Sequence, residues 1–438
     1  MAVFDTYIAE VERARRAGAR DEPNWLMTAR RRAAERFREV GFPTSRDEEW
    51  RFTSVASIAE TPFSLAQDGA SQVSVTELER FRLPEETAAT LVFVNARYVE
   101  RLSDLRRVPP GVSVGSLSQV GAESAGFIQS HLTRLATVER NAFTALNTAF
   151  LHDAAIVSVP DSVVLEAPIH LLFVSTDAGG LRMAHPRVLV VMGRNSKASI
   201  VESYVSLNAS RYFTNGVTEV IAGENAQVEH YKLQREHDDS AHIGGLYVSA
   251  ARSASITCHS ICFGGSLVRN DVMVVLDGEG AECTLNGLYL GDRRRVVDNH
   301  TTIDHARPNC GSREIYKGIL GDHARAVFNG KIVVRPAAQK TDAKQTNKAL
   351  LLSEDAQINT KPQLEIFADD VKCTHGAAIG QIDDEAMFYL RARGLSEREA
   401  RRLLIQAFAG EVLRRIPLVS LSERLEQELM QRLPGVAA

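Results

Sequence analysis

Cys373 and His375, in the run Val371-Lys372-Cys373-Thr374-His375-Gly376, are the residues of this chain best suited to bind a metal or handle sulfur. On a strand, side chains at i and i+2 share a face, with Cα atoms about 6.6 Å apart. A thiolate and an imidazole at that spacing can converge on one ion whose bonds are about 2.0–2.3 Å long. Two ligands do not complete a site, so others must come from elsewhere. The residues alone favour a buried cysteine beside a solvent-facing histidine over a ligand pair.

The remaining candidates carry less. Cys258 and Cys262 are about 13 Å apart on an extended strand, too far to chelate one ion, and both are expected inside as small apolar groups. Asp298 and His300 share a face by the same parity, while His305 points the other way; a surface hydrogen-bonded pair is expected there. Asp369-Asp370 and Asp383-Asp384 are adjacent rather than convergent, so neither makes a glycosidase-like acid/base pair. There is no G-x-x-x-x-G-K-[ST] run, and Gly278-x-Gly280 lacks a third glycine. Neither ATP nor a dinucleotide is expected to bind by a standard loop.

The elements that must position these residues change character along the chain. Residues 1 to about 57 are rich in Arg and Glu, with Phe4, Ile8 and Val11 and then Leu26, Ala29, Ala33 and Phe37 at helical spacing. Two amphipathic helices are expected as a solvated hairpin, broken at Gly41 and Pro43, with Trp50 and Phe52 anchoring the next segment. Leu91 to Val94 reads as a strand, and Gln119 to Phe150 as helix with one buried stripe. After Gly380 the chain is helical again. Gly394 closes one helix, Ser396 with Glu399 makes a capping box for the next, and Leu425, Leu429 and Leu433 mark a last one. These stripes either pack on the β core or face a partner.

Between them, from Ala154 on, strand follows strand. A turn of a polar or small group, Ala, a variable residue and an apolar one recurs at Ala198, Ala226, Ala254, Ala281, Ala324 and Ala356, spaced by 28, 28, 27, 43 and 32 residues. The long gap holds what reads as an insertion, Asp292 to Ser312, including Arg293-Arg294-Arg295, a triplet expected on a solvated loop. A period of this size with no intervening helices signals an all-β stacked solenoid or blade array rather than a doubly wound sheet. The fold class is therefore mainly β: a solenoid core over residues 151–381, a mainly helical region over 1–150 and a C-terminal helical region over 382–438.

The ordered set Glu314-Ile315-Tyr316-Lys317-Gly318, Ala338 to Ala343, Thr360-Lys361-Pro362, Ala368 to Gly376 and Phe388 to Gly394 resembles the SufB/SufD family of iron–sulfur cluster assembly proteins, and its SufD branch in particular. Outposts of the resemblance lie at Gly41 to Thr53 and Asn141 to Pro160. It implies a right-handed parallel β-helix core, which the period alone does not distinguish from a propeller. It further implies a non-catalytic scaffold that pairs with SufB through the end of the β-helix and binds the ABC-type ATPase SufC through C-terminal helices. Cys373 and His375 would then lie by the SufB interface, where iron or a transient iron–sulfur cluster is handled; a flavin on the assembled complex and a homodimer in the absence of SufB stay open. SufB carries a sulfur-receiving cysteine on the strand equivalent to Lys344-Gln345-Thr346-Asn347, and this chain has none. Deleting Ser396 to Ala438 is expected to abolish ATPase binding and leave the β core folded.

Composition bounds the rest. With 51 Lys plus Arg against 55 Asp plus Glu in 438 residues, the net charge of −4 offers no field for nucleic acid. Five scattered cysteines fit a reducing compartment. No apolar run reaches the ~18–20 residues of a membrane span, and the start, with Asp5, Glu10 and Glu12, has no apolar signal core, so a bacterial cytoplasm is the expected setting. A rival reading, a stand-alone β-helix enzyme such as a polysaccharide lyase, would need sugar-stacking aromatics on the repeats, yet Trp25 and Trp50 both precede them. A metal-storing monomer would need more ligands than Cys-x-His.

Overall fold

The computed structural model describes residues 3–18, 22–67, 69–119, 122–176, 180–208 and 211–433. Two long sheets face each other, and the chain alternates between them. One runs, in spatial order, Gln357–Ile366, Arg325–Val334, Val296–His305, Leu267–Leu276, Ala241–Ala250, Tyr212–Ala222, Arg187–Met192 and Ala155–Val159. The other runs Lys372–Gly380, Asp342–Leu351, Gly311–Leu320, Glu282–Gly291, Ser255–Cys262, Gln227–Arg235, Lys197–Ser206, Ile169–Ser175 and Ala89–Val94. Within each row, neighbouring strands pair in parallel from one coil to the next. Two strands and two turns per coil make this a parallel β-solenoid, one of the two architectures that the period leaves open and the one that the resemblance implies.

Side chains of one parity meet between the sheets in a continuous apolar core that includes Ile200, Val228, Ile256, Val274, Leu285 and Phe328. The corners explain the small repeated residue. Asn195, Asn225, Ser253, Gly280, Asn309 and Lys340 all take φ between 53° and 70°, a left-handed conformation that Asn and Gly adopt at least cost. Each donates its backbone N–H to a carbonyl of the next coil: Asn195 to Glu224 at 2.9 Å, Asn225 to Arg252 at 2.8 Å, Gly280 to Pro308 at 3.1 Å and Lys340 to Asp370 at 2.7 Å. The residue after each of these turns inward where coils touch, and it is small and buried: Ser196, Ala226, Ala254, Ala281, Cys310 and Thr341.

The alanine series therefore needs correcting. Lys197 pairs with Gln227, so Ala198 sits one residue inside its strand and Ser196 is the true counterpart of Ala226. Ala324 and Ala356 precede Arg325–Val334 and Gln357–Ile366, at the opposite corner. The gap of 43 is a change of corner, not an insertion: Asp292 to Ser312 contains the strand Val296–His305, in unbroken register with both neighbours. Within that stretch Arg293 is exposed as expected. Arg295 is not; it is buried, donating to the Phe263 and Leu290 carbonyls at 3.3 and 3.2 Å and to Asp238 at 2.8 Å.

The helical regions lie on the outer faces. Helices Val3–Gly18 and Asn24–Val40 form where the spacing predicts, but they are no solvated hairpin. Tyr7, Val11, Ala33 and Phe37 pack with Trp50 and Phe143 on Phe213, Ile243 and Leu267 of the first sheet. Trp50 is the anchor expected of it, while Phe52 is exposed. Between Gln119 and Phe150 the chain breaks into Ala122–His131 and Ala142–Ala149.

At the C-terminus, Glu397–Leu413 opens with the Ser396/Glu399 capping box, and Val419–Arg432 comes after it. Ile405, Ala409, Val412, Leu413 and Ile416, with Leu421, Leu425 and Leu429, lie on Tyr231, Leu233, Ile261, Leu288 and Ile315 of the second sheet. The stripes pack on the core, while Leu403 points to solvent. A chain ending before Ser396 would thus uncover a sheet face, which argues against the expectation of an undisturbed core. Among the described residues no helix is long and apolar enough to cross a membrane.

Candidate functional site

The solenoid ends on two strands, Gln357–Ile366 and Lys372–Gly380, each paired on one side only. Cys373 lies in register over Ala343, Ser312 and Cys283; His375 lies over Gln345, Glu314 and Leu285. Those columns face the interior further down, so the parity argument holds and both side chains belong to the mouth of the core. Cys373 is half-buried against Ile332, Val334 and Ala343, and burial pushes its thiol up from the ordinary value. His375 is exposed at the rim. Beneath it, Gln345 Nε2 donates to Glu314 Oε2 at 2.7 Å. Among the described residues, no three His, Cys, Asp or Glu side chains are grouped to hold an ion. A protonated thiol and one imidazole are a weak donor set alone; a second chain placed on the mouth can both complete it and, by supplying an ion, draw off the thiol proton.

The surroundings of the mouth are apolar and uncovered. Ile366, Ile379 and Phe367 are exposed at the strand ends. The next helix, Asp384–Arg391, buries no side chain, and Phe388 and Tyr389 stand 76% and 54% exposed. Unpaired N–H and C=O groups along two strand edges, bordered by exposed apolar side chains, form a template for another chain's strands.

Known proteins share this arrangement of sequence. Residues 173–408 match the SufBD core domain of the SUF iron–sulfur cluster assembly system, and residues 1–171 match the SufBD N-terminal region. A SufBD-family iron–sulfur cluster assembly protein of Synechocystis is 37% identical over 414 residues, 93% of this chain and 91% of its own. The iron–sulfur cluster assembly protein SufD of Escherichia coli is 32% identical, with 91% of each chain covered. A chloroplastic protein of Arabidopsis thaliana, ABCI7, is 31% identical over 90% of this chain and 83% of its own. This chain belongs to the SufBD family.

Within this SufBD protein, two further clusters bear on the site. Asp298 and His300 do pair, Nε2 lying 3.0 Å from Oδ1, but not on the surface: Asp298 is fully buried and also takes Arg269 Nη1 at 2.9 Å and Thr53 Oγ1 at 2.6 Å. Burial opposes a charge on His300, yet Asp298 and Glu49 outweigh it and hold the imidazole up at about 9. Arg269 lies 3.8 Å from the Trp50 ring centroid, so this network fastens the N-terminal segment to the sheet. His305 faces the interior and bonds Ser312 Oγ at 3.0 Å.

The second cluster lies inside the solenoid, where no motif pointed. Glu202 accepts from Tyr204 Oη at 2.7 Å, Thr218 Oγ1 at 2.8 Å and His230 Nε2 at 2.8 Å. Burial lowers His230, but the Glu202 carboxylate more than reverses this, to about 9. Lys232, pushed down to about 8 by burial, donates to Asn270 Oδ1 at 2.6 Å. Aligning the coils in register would have revealed these inward-facing charges. Cys258 and Cys262 are buried near them, as expected of small apolar groups.

Glu314, one coil below the mouth, yields a pH prediction. Burial raises its carboxyl to about 7, whereas in the unfolded chain it ionises near its ordinary value, about 4.3. Its contribution is fully present below that value. It declines as pH rises through the folded value, because the unfolded state gives up its proton first. Glu314→Gln should therefore gain stability relative to the parent by about 3 kcal/mol between pH 4.5 and pH 8. Denaturant unfolding at both pH values checks this; parallel losses in parent and variant would exclude it.

Proposed function

We propose that this SufBD-family chain is a SufD-type, non-catalytic scaffold subunit. It pairs with SufB through the open end of its solenoid and binds the SufC ATPase through its C-terminal helical region. One observation carries the reading: the two unpaired strand edges at Gln357–Ile366 and Lys372–Gly380, with Ile366, Phe367 and Ile379 exposed beside them, need a partner that continues the sheets. Cys373 and His375 sit at that junction, and SufB would supply the ligands this chain lacks for iron or a nascent cluster. The exposed Phe388 and Tyr389 come directly after the last strand, so a SufC bound there could move the helix and open the junction when ATP is hydrolysed. A flavin, where present, belongs to the assembled complex, and the same edges would support a homodimer when SufB is absent. The five free cysteines suit a reducing cytoplasm. Likeness to SufD of Escherichia coli along nearly the whole chain favours this reading over a stand-alone polysaccharide lyase.

Co-expression with SufB and SufC tests it. All three chains are expected to purify together. Ile379→Lys should lose SufB, since a charge on an edge strand opposes pairing. His375→Ala should keep both partners while iron and sulfide in the complex fall by about tenfold, the scale of losing one support of a metal site. Retention of SufB by Ile379→Lys would move the joint elsewhere; full iron and sulfide in the His375→Ala complex would remove His375 from the ligand set.

A further inference from the structure

An open groove of about 800 Å³ runs between the last helix, Val419–Arg432, and the turns that leave the second sheet after Ser206 and Arg235. Four guanidinium groups line it, from Arg80, Arg235, Arg424 and Arg432. Arg235 forms the floor. Its side chain is only 5% exposed, and its nearest acid, Glu428, is 3.5 Å from Nη1. Its Nε has no hydrogen-bond partner among the described residues, although a buried N–H without one carries a desolvation cost of about 1–3 kcal/mol.

The acids of the groove do not balance these cations. Glu428 serves Arg432 as well, at 3.2 Å. Glu236 is turned into the solenoid, where its Oε2 takes His242 Nδ1 at 2.7 Å and Gln234 Nε2 at 3.0 Å. Asp238 is held by Arg293 and Arg295 at 2.9 and 2.8 Å. Arg424 donates only to the carbonyls of Arg82 and Arg80, and Arg80 lies over the Phe81 ring, 4.6 Å from its centroid. Neither has a carboxylate partner among the described residues, so Glu428 serves two of the four cations and the other two have no acid.

We propose that this groove binds a phosphate-bearing small molecule, with Arg235 reaching it from the floor and Arg80, Arg424 and Arg432 from the rim. Planar guanidinium forks match phosphate oxygens two at a time. The half-buried Phe81 ring lines the groove beside them. Recession of Arg235 favours a compact anion over the acidic tail of a protein, whose carboxylates would stop at the rim. The site owes nothing to a glycine-rich loop, which is why the absence of one in the sequence did not disclose it.

Equilibrium binding of inorganic pyrophosphate to the isolated full chain, at one fixed salt concentration, decides the matter. The parent should bind at least about tenfold more tightly than the Arg80→Gln/Arg424→Gln double variant, since each lost fork removes a charge-assisted contact. These rim positions leave the floor arginine in place, and an unchanged melting curve confirms that the variant is folded. An acidic octapeptide of glutamates should bind more weakly than pyrophosphate. No binding by the parent, equal binding by the folded variant, or tighter binding of the glutamate peptide would each overturn the proposal.

Discussion

A chain ending at Leu395 will not accumulate as a folded solenoid: it is expected in the insoluble fraction, or as a species that binds hydrophobic dyes, with the cooperative unfolding transition lost. The two final helices cover an apolar wall on the second sheet that runs from Val201 through Tyr231, Leu233, Ile261, Leu288, Ile315 and Ile319 to Leu350. Uncovering one such side chain costs about 1.5–3 kcal/mol. Several together exceed the whole of a typical domain's stability, about 5–15 kcal/mol. Lys317 adds a polar tie by donating to the Phe408 carbonyl at 2.8 Å while its ammonium pairs with Glu411. The consequence for function is practical. The ATPase contact proposed above is to be tested by changing the exposed Phe388 and Tyr389, because truncation would remove the fold along with the surface. A soluble, monodisperse truncated chain with native β circular dichroism would refute this account of the wall.

Glu219→Ala is the single substitution expected to cost most, about 3–5 kcal/mol. Glu219 and Arg187 are both fully buried, with Arg187 Nη2 2.6 Å from Glu219 Oε1. The carboxylate also accepts backbone N–H groups of Thr133 and Leu135 at 2.8 Å and Ala136 at 3.0 Å. It thereby pins the segment between helices Ala122–His131 and Ala142–Ala149 against the first sheet. Removing it strands a guanidinium whose remaining side-chain partners are Asn147 at 3.1 Å and Thr148 at 3.3 Å, and leaves three amides without their acceptor. Denaturant unfolding of the purified variant measures the loss; a change below about 1 kcal/mol would mean that water enters and replaces the carboxylate.

The coil was legible in the sequence because its rules are local. Alternation sets which side chains face inward, a left-handed corner wants Asn, Ser or Gly, and a small residue must come next where coils touch. The same parity correctly placed Cys373 and His375 on one face. The alanine count nevertheless confused two corners, because both impose the same steric demand on one residue and nothing local labels which sheet comes next. Arg295 was misplaced for a related reason. In a run of three arginines only the fold decides which one meets Asp238 and two buried carbonyls.

What the sequence by itself determined, then, was the repeat, the strand faces, the helix caps and, through an ordered set of motifs, the family. Tertiary structure alone decided what covers the solenoid and what stays bare. Thr53 meets Asp298 across 245 residues of chain, and Arg235 meets Glu428 only once the last helix has docked. Such contacts depend on the summed geometry of many coils, whereas periodicity reports only on neighbours in the chain and in the next turn.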